Sequence, residues 1–179
     1  MVNSMSKITD FYTGVDLDQH GRTLLYILYK DNKWWEDCHD HIQWVFPTNK
    51  PSKHNPLAPL LTPEDIAEFR SNSYIQGTAR ISFYRFLDFL GLRYDRSNNI
   101  VYAGPEFCSL LPEVWLTPNH NHLRITRCLE FLGLVGIDTQ MVAFYKFLKN
   151  LKAVFNADIS DETFAYWTTE HIIASGMFR

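Results

Sequence analysis

With 179 residues, 46% of them hydrophobic and 15% aromatic, the chain has the length and apolar content of one packed domain, which excludes a disordered segment. A net charge of −3 and a pI near 6.1 exclude the basic excess of a dedicated nucleic-acid or anionic-membrane binder. The cysteines Cys38, Cys108 and Cys128 form no Cys-x-x-Cys pair, so zinc-knuckle and thioredoxin-type patterns are absent and buried, reduced thiols are expected.

Along the chain, the opening MVNSMSKITD has no apolar signal core, and the run LLYILY at 24–29 is too short to span a bilayer. No transmembrane segment and a cytoplasmic location are expected. Gly21-Arg22 opens a first helix over about 22–30. A second is predicted over 34–45, with Trp34, Cys38, Ile42 and Val45 on one stripe. FPTNKPSKHNPLAPLLTP then carries Pro47, Pro51, Pro56, Pro59 and Pro63, and proline's fixed φ makes this a stiff, non-helical crossover. It is expected to strap the core with Leu57, Leu60 and Leu61.

Thr62-Pro63-Glu64-Asp65 is a helix start: a Thr cap, Pro in the first turn and acids facing the dipole. The next helix runs over 73–90 and stops at Gly91. Short apolar pieces flank Ser97-Asn98-Asn99, as either a small hairpin or an extended excursion. Pro105 opens a short helix toward Leu111. In NHNHLRITRCLEFLGLVG, the residues Leu123, Ile125, Cys128, Leu129 and Leu132 give a helical core face, TQMVAFYKFLKNLKAVF continues as a longer amphipathic helix, and Ser160 caps a last one. The expected fold is mainly α: one compact multi-helix domain over residues 1–179, with a long Pro-rich crossover.

Two stretches hold donors that invite a chemical reading. In CHDHIQWVF, at 38–46, a helix would place His39 and His41 about 200° apart, so they would not share an ion. Cys38 with His41, or Asp37 with His41, would share a face but need two more ligands, with His54 the nearest candidate. No metal and no cofactor are expected. No nucleophile elbow, Walker loop, dinucleotide fingerprint or His-Glu-x-x-His occurs, and apolar neighbours would raise the pKa of Cys108 or Cys128 beside His39 or His120. No catalytic residue is assigned. In NHNHLRITR, at 119–127, Arg124 and Arg127 stand near a helix N-terminus, where the dipole disfavours cations. They either cradle a phosphate or carboxylate together with His120, or pair with Glu36, Asp37 or Asp40 and join the 36–43 helix to the 121–132 helix.

Taken together, HDHIQWVFP, NPLAPLLTPEDIAEFR and NHNHLRITRCLEFLGLVG resemble the conserved region of the opioid growth factor receptor family, over roughly residues 10–170. GRTLLYIL is similar to the stand-alone bacterial members. In the vertebrate receptor the resemblance implies binding of the opioid pentapeptide methionine-enkephalin and association with the nuclear envelope. This chain lacks the receptor's basic nuclear-targeting runs, and His41 stands where the family often carries Tyr. The expectation is a soluble binding or regulatory domain for an unidentified peptide, protein or small anionic ligand. Its candidate contacts are His39, Asp40, Gln43, Trp44, Asn55, His120, Asn121, Arg124 and Arg127. The alternative is an enzyme or anion-binding protein using His120, Arg124 and Arg127 on a phosphorylated or carboxylated small molecule.

Overall fold

A computed structural model describes residues 7–52, 55–115, 119–155 and 159–174. The fold is mainly α, with ten α-helices, one π-helical turn and one two-stranded sheet among the described residues. None of these helices is long and apolar enough to cross a membrane. The chain divides into two compact units, residues 1–82 and 83–179.

The first unit holds α1 (Lys7–Thr13), α2 (Leu24–Leu28), α3 (Asn32–Asp37), α4 (Ile42–Val45), α5 (Pro63–Ser71) and the start of α6 (Ser73–Phe89). Short helices need caps, because each end leaves backbone groups unsatisfied. Thr23 accepts the Tyr26 N–H, Asp31 accepts the Trp34 N–H, and Thr62 with Asp65 closes a full capping box. The core is aromatic. Phe11 meets Trp44 edge-on at 5.2 Å, Tyr12 meets Phe69 at 4.8 Å, and the Tyr12 hydroxyl donates to the Val45 carbonyl.

Three expectations need correction here. The helix predicted over 34–45 is broken: Cys38 turns extended at ψ 114°, and the chain re-enters helix only at Ile42. Side-chain contacts described below hold Cys38 and Asp40 out of helix. Trp35, not Trp34, is the buried tryptophan of α3. In the crossover, Leu61 N donates to Thr48 O at 3.0 Å beside a Thr48–Leu60 bridge, so the ends of the loop meet. Only Leu61 reaches the core, while Leu57 and Leu60 face solvent, because the chain folds back at Asn55, whose carbonyl accepts the Ala58 N–H.

The second unit holds the end of α6, strands β1 (Leu92–Asp95) and β2 (Ile100–Ala103), α7 (Phe107–Leu110), a π turn (Leu111–Trp115), α8 (His120–Leu134), α9 (Asp138–Phe155) and α10 (Asp161–Ala174). Gly91 ends α6 at φ +74°, where a Cβ would stand 3.0 Å from the Phe107 backbone. The apolar pieces around Ser97-Asn98-Asn99 form a hairpin, antiparallel from Leu92–Ala103 to Asp95–Ile100. Its turn is fixed by Asp95, which accepts the Ser97 N–H, and by Asn99 at φ +53°. On α8 the buried stripe is Asn121, His122, Ile125, Cys128, Leu129 and Leu132, with Arg124 beside it. Leu123, expected on the core face, points outward.

Candidate functional site

The loop Asp18-Gln19-His20-Gly21-Arg22 closes on itself before α2. The Asp18 carboxylate, with no exposed side-chain surface, accepts the backbone N–H of His20 and of Arg22, each at 2.9 Å, and Arg22 Nε at 2.5 Å. The other two arms of the guanidinium reach the break between α3 and α4. Arg22 Nη1 donates to Cys38 Sγ at 3.2 Å and Nη2 to Asp40 Oδ1 at 2.8 Å. His20 Nε2 lies 2.6 Å from Asp40 Oδ2, the Cys38 thiol donates to Asp40 Oδ1 at 3.1 Å, and Asn55 Nδ2 donates to the Asp40 carbonyl at 3.4 Å.

Charge follows from this geometry. Burial opposes the Arg22 cation, but hydrogen bonds to Asp40 and Asp18 outweigh it and raise its pKa. Burial also works against the Asp40 carboxylate, and hydrogen bonds from Arg22 and Cys38 hold its pKa below the ordinary value nonetheless. Burial and then the bond to Asp40 push the Cys38 thiol up, against the pull of Arg22. Cys38 is thus held toward its protonated thiol, and the Asp40 carboxylate is engaged by Arg22. Their arrangement is a three-way clip.

The clip bears on α2. The Arg22 guanidinium lies 5.5 Å from the centre of the Trp34 ring, and Trp34 stands edge-on to Tyr26 at 6.4 Å. From its capped start, α2 turns Leu24 and Ile27 inward. That phase leaves Leu25, Tyr26 and Tyr29 outside, 63%, 48% and 83% exposed. Thr23, Leu25, Tyr26, Tyr29 and Lys30 line an open cleft of about 380 Å³, with Lys30 Nζ 4.1 Å from the centre of the Tyr26 ring.

The residues singled out in the sequence divide between the two units. In the first, Asp40 and Asn55 come together in the clip, while the neighbouring His39 is exposed. His41 is fully buried against the Trp34 and Trp35 rings, so burial and not helical phase separates it from His39. Gln43 and Trp44 are buried, and Gln43 Oε1 and Trp44 Nε1 have no hydrogen-bond partner. His54 lies outside the described residues. Among those described, no three metal-ligating side chains gather.

In the second unit Asn119 caps α8, accepting the Asn121 N–H at 2.8 Å and donating to the Glu113 and Val114 carbonyls. His120 is exposed. Arg124, expected at an open cradle or in an ion pair, is only 4% exposed; its Nη1 donates to Asn121 Oδ1 at 3.1 Å and its guanidinium lies over Phe89. Burial lowers the Arg127 pKa, against the charge of Glu130. Of the acids expected to meet these arginines, Asp37 takes Lys33 and Asp40 takes Arg22 with His20. Sequence reasoning missed Asp18, His20, Arg22 and the outer face of α2. An Arg just before a helix start, next to a turn-forming Asp-x-x-Gly, was the available signal.

The family model described as the opioid growth factor receptor (OGFr) conserved region matches residues 14–169. The opioid growth factor receptor of Homo sapiens is 33% identical over 105 residues, covering 58% of this chain and 15% of that protein. Opioid growth factor receptor-like protein 1 is 31% identical in Mus musculus, over 70% of this chain and 28% of that protein. In Xenopus tropicalis it is 32% identical, over 60% and 22%. The match thus spans less than a third of each relative. No solved structure matches. With 156 consecutive residues, 14–169, inside the family model, the chain belongs to the opioid growth factor receptor conserved-region family.

Proposed function

We propose that the chain is a recognition domain that takes up a segment of a partner polypeptide on the outer face of α2, without catalysing a reaction on it. The observation that carries this is the aromatic shelf itself: Leu25, Tyr26 and Tyr29 turned to solvent around a cleft. Tyrosines supply large contact area at low entropic cost, and a clustered apolar face is the usual mark of a contact surface. The clip supports the same role, since Arg22 braces Trp34, and Trp34 braces Tyr26. The relatives are named receptors, which is consistent with a binding role. The three free thiols fit a reducing, cytoplasmic compartment.

The test is selection of a randomised phage-displayed 12-residue library on the full chain, followed by calorimetric titration of the enriched peptides. Enrichment of peptides that bind with micromolar Kd is expected. If no peptide is enriched, while inorganic phosphate raises the thermal midpoint and an Arg127→Met variant loses that effect, the domain is an anion-binding protein instead.

A further inference from the structure

Resting on the recognition role proposed above, we infer that the segment received by α2 is acidic and apolar: one in which a leucine- or phenylalanine-sized side chain stands next to a carboxylate. The walls of the cleft set the first half of this. Leu25, Tyr26 and Tyr29 offer hydrocarbon and ring faces, and the Thr23 hydroxyl already accepts the Tyr26 N–H as the helix cap. An apolar side chain loses little by entering such a place and removes both itself and the shelf from water.

Charge sets the second half. Lys30 is the one charged residue among the five that line the cleft. Its ammonium is held 4.1 Å from the centre of the Tyr26 ring, where the π face attracts a cation. The aliphatic stem of such a lysine lies along apolar surface while its head stays at the rim. A carboxylate arriving beside the apolar anchor therefore meets a cation seated on the Tyr26 ring, where the pair is less screened than on open surface. A basic segment would meet like charge at the same point, so the arrangement selects against it as well as for its opposite.

The shelf is also pre-formed. Tyr26 is wedged by Trp34, Trp34 lies under Arg22, and Arg22 is tied to Asp18, Cys38 and Asp40. A partner need not order these rings, which leaves more of the contact energy for affinity.

The experiment is to pan the randomised 12-residue library in parallel on the wild-type chain, on Lys30→Glu and on Tyr29→Ala. Circular dichroism checks that both variants stay folded, as expected for side chains at the surface. On wild type, the enriched peptides should place Leu, Ile, Phe or Met within two residues of Asp or Glu. Lys30→Glu should weaken these peptides about tenfold or more and shift enrichment to neutral or basic sequences, whereas Tyr29→Ala should weaken both kinds, as loss of an aromatic anchor does. Absence of the acidic–apolar signature on wild type overturns the inference, and so does its equal enrichment on all three proteins. Peptides bound equally by wild type and Tyr29→Ala, with or without acids, leave the recognition role standing but move it off α2. No enrichment on any of the three removes both. A match between the selected signature and methionine-enkephalin, which carries no acidic side chain, or concentration-dependent self-association blocked by Tyr29→Ala, would replace the acidic partner with a different occupant.

Discussion

Arg22 gathers Asp18, Cys38 and Asp40, residues up to eighteen positions away, around one guanidinium. Such a gathering depends on the planar fork of arginine. Replacement by Met should leave the buried Asp18 carboxylate without its cation and cost about 3 kcal/mol, measured by urea unfolding at neutral pH. Arg22→Lys, with a single ammonium for three acceptors, should recover only part of that loss. Asp40 adds a pH signature. Its pKa is held below the ordinary carboxylate value, so the stability it contributes is complete above that value and disappears as acid protonates it. The stability gap between wild type and Asp40→Asn should therefore narrow between pH 7 and pH 3 in parallel unfolding titrations. Two of the buried tryptophans, Trp35 and Trp44, should behave differently. Trp35 Nε1 donates to the Ile27 carbonyl at 3.0 Å, whereas Trp44 Nε1 has no hydrogen-bond partner. Trp35→Phe gives up a buried hydrogen bond as well as opening space, although the Ile27 carbonyl keeps the Lys30 N–H, whereas Trp44→Phe removes a donor that was costing stability, so it should be the milder change by about 1 kcal/mol. None of these roles was legible in the sequence, because Arg22 reads there only as the opening of a helix and its partners are set by tertiary contacts.

Elements with strong local chemistry were legible. Thr62-Pro63-Glu64-Asp65 starts α5 and Gly91 ends α6, each through backbone demands that only a few residue types satisfy, whereas Ser97-Asn98-Asn99 left a hairpin and an extended excursion open and the chain forms the hairpin. The break at 38–41 was not, since an apolar stripe at helical spacing says nothing about Arg22 pulling two side chains out of line. The face of α8 was misread for a related reason: Arg124 and His122 occupy inward positions that composition assigns to Leu123. His122 gives α8 an acid sensitivity. Its Nε2–H donates to the Val114 carbonyl at 3.2 Å, its ring meets Trp167 edge-on, and burial lowers its pKa below the ordinary histidine value. The unfolded chain then binds this proton more readily than the folded one. Stability from His122 is complete above the ordinary value, near 6.5, and falls as pH drops below it. Thermal midpoints followed from pH 8 to pH 5 should decline for wild type and decline less for His122→Gln, whose neutral amide can still donate to Val114.

At the scale of the whole chain, the thiols report on the native state in a fixed order. Cys108 is exposed, Cys38 is half-buried with a raised pKa, and Cys128 is wholly buried with its pKa pushed far up. A disulfide-exchange reagent at pH 8 should titrate Cys108 first, Cys38 more slowly, and Cys128 only after denaturant is added. Mass mapping of the modified peptides checks the order; fast reaction of Cys128 in native protein would contradict its burial. The sequence-level expectation of three buried thiols thus holds for one of them. The Pro-rich crossover has a consequence of a practical kind. Because Leu61 N bonds to Thr48 O and Leu57 stands 77% exposed between these two anchors, the tip can carry an insertion while its base stays closed. A biotin-acceptor peptide spliced in at Leu57 would let the domain be immobilised in a single orientation through an attachment point that shares no residue with the α2 cleft.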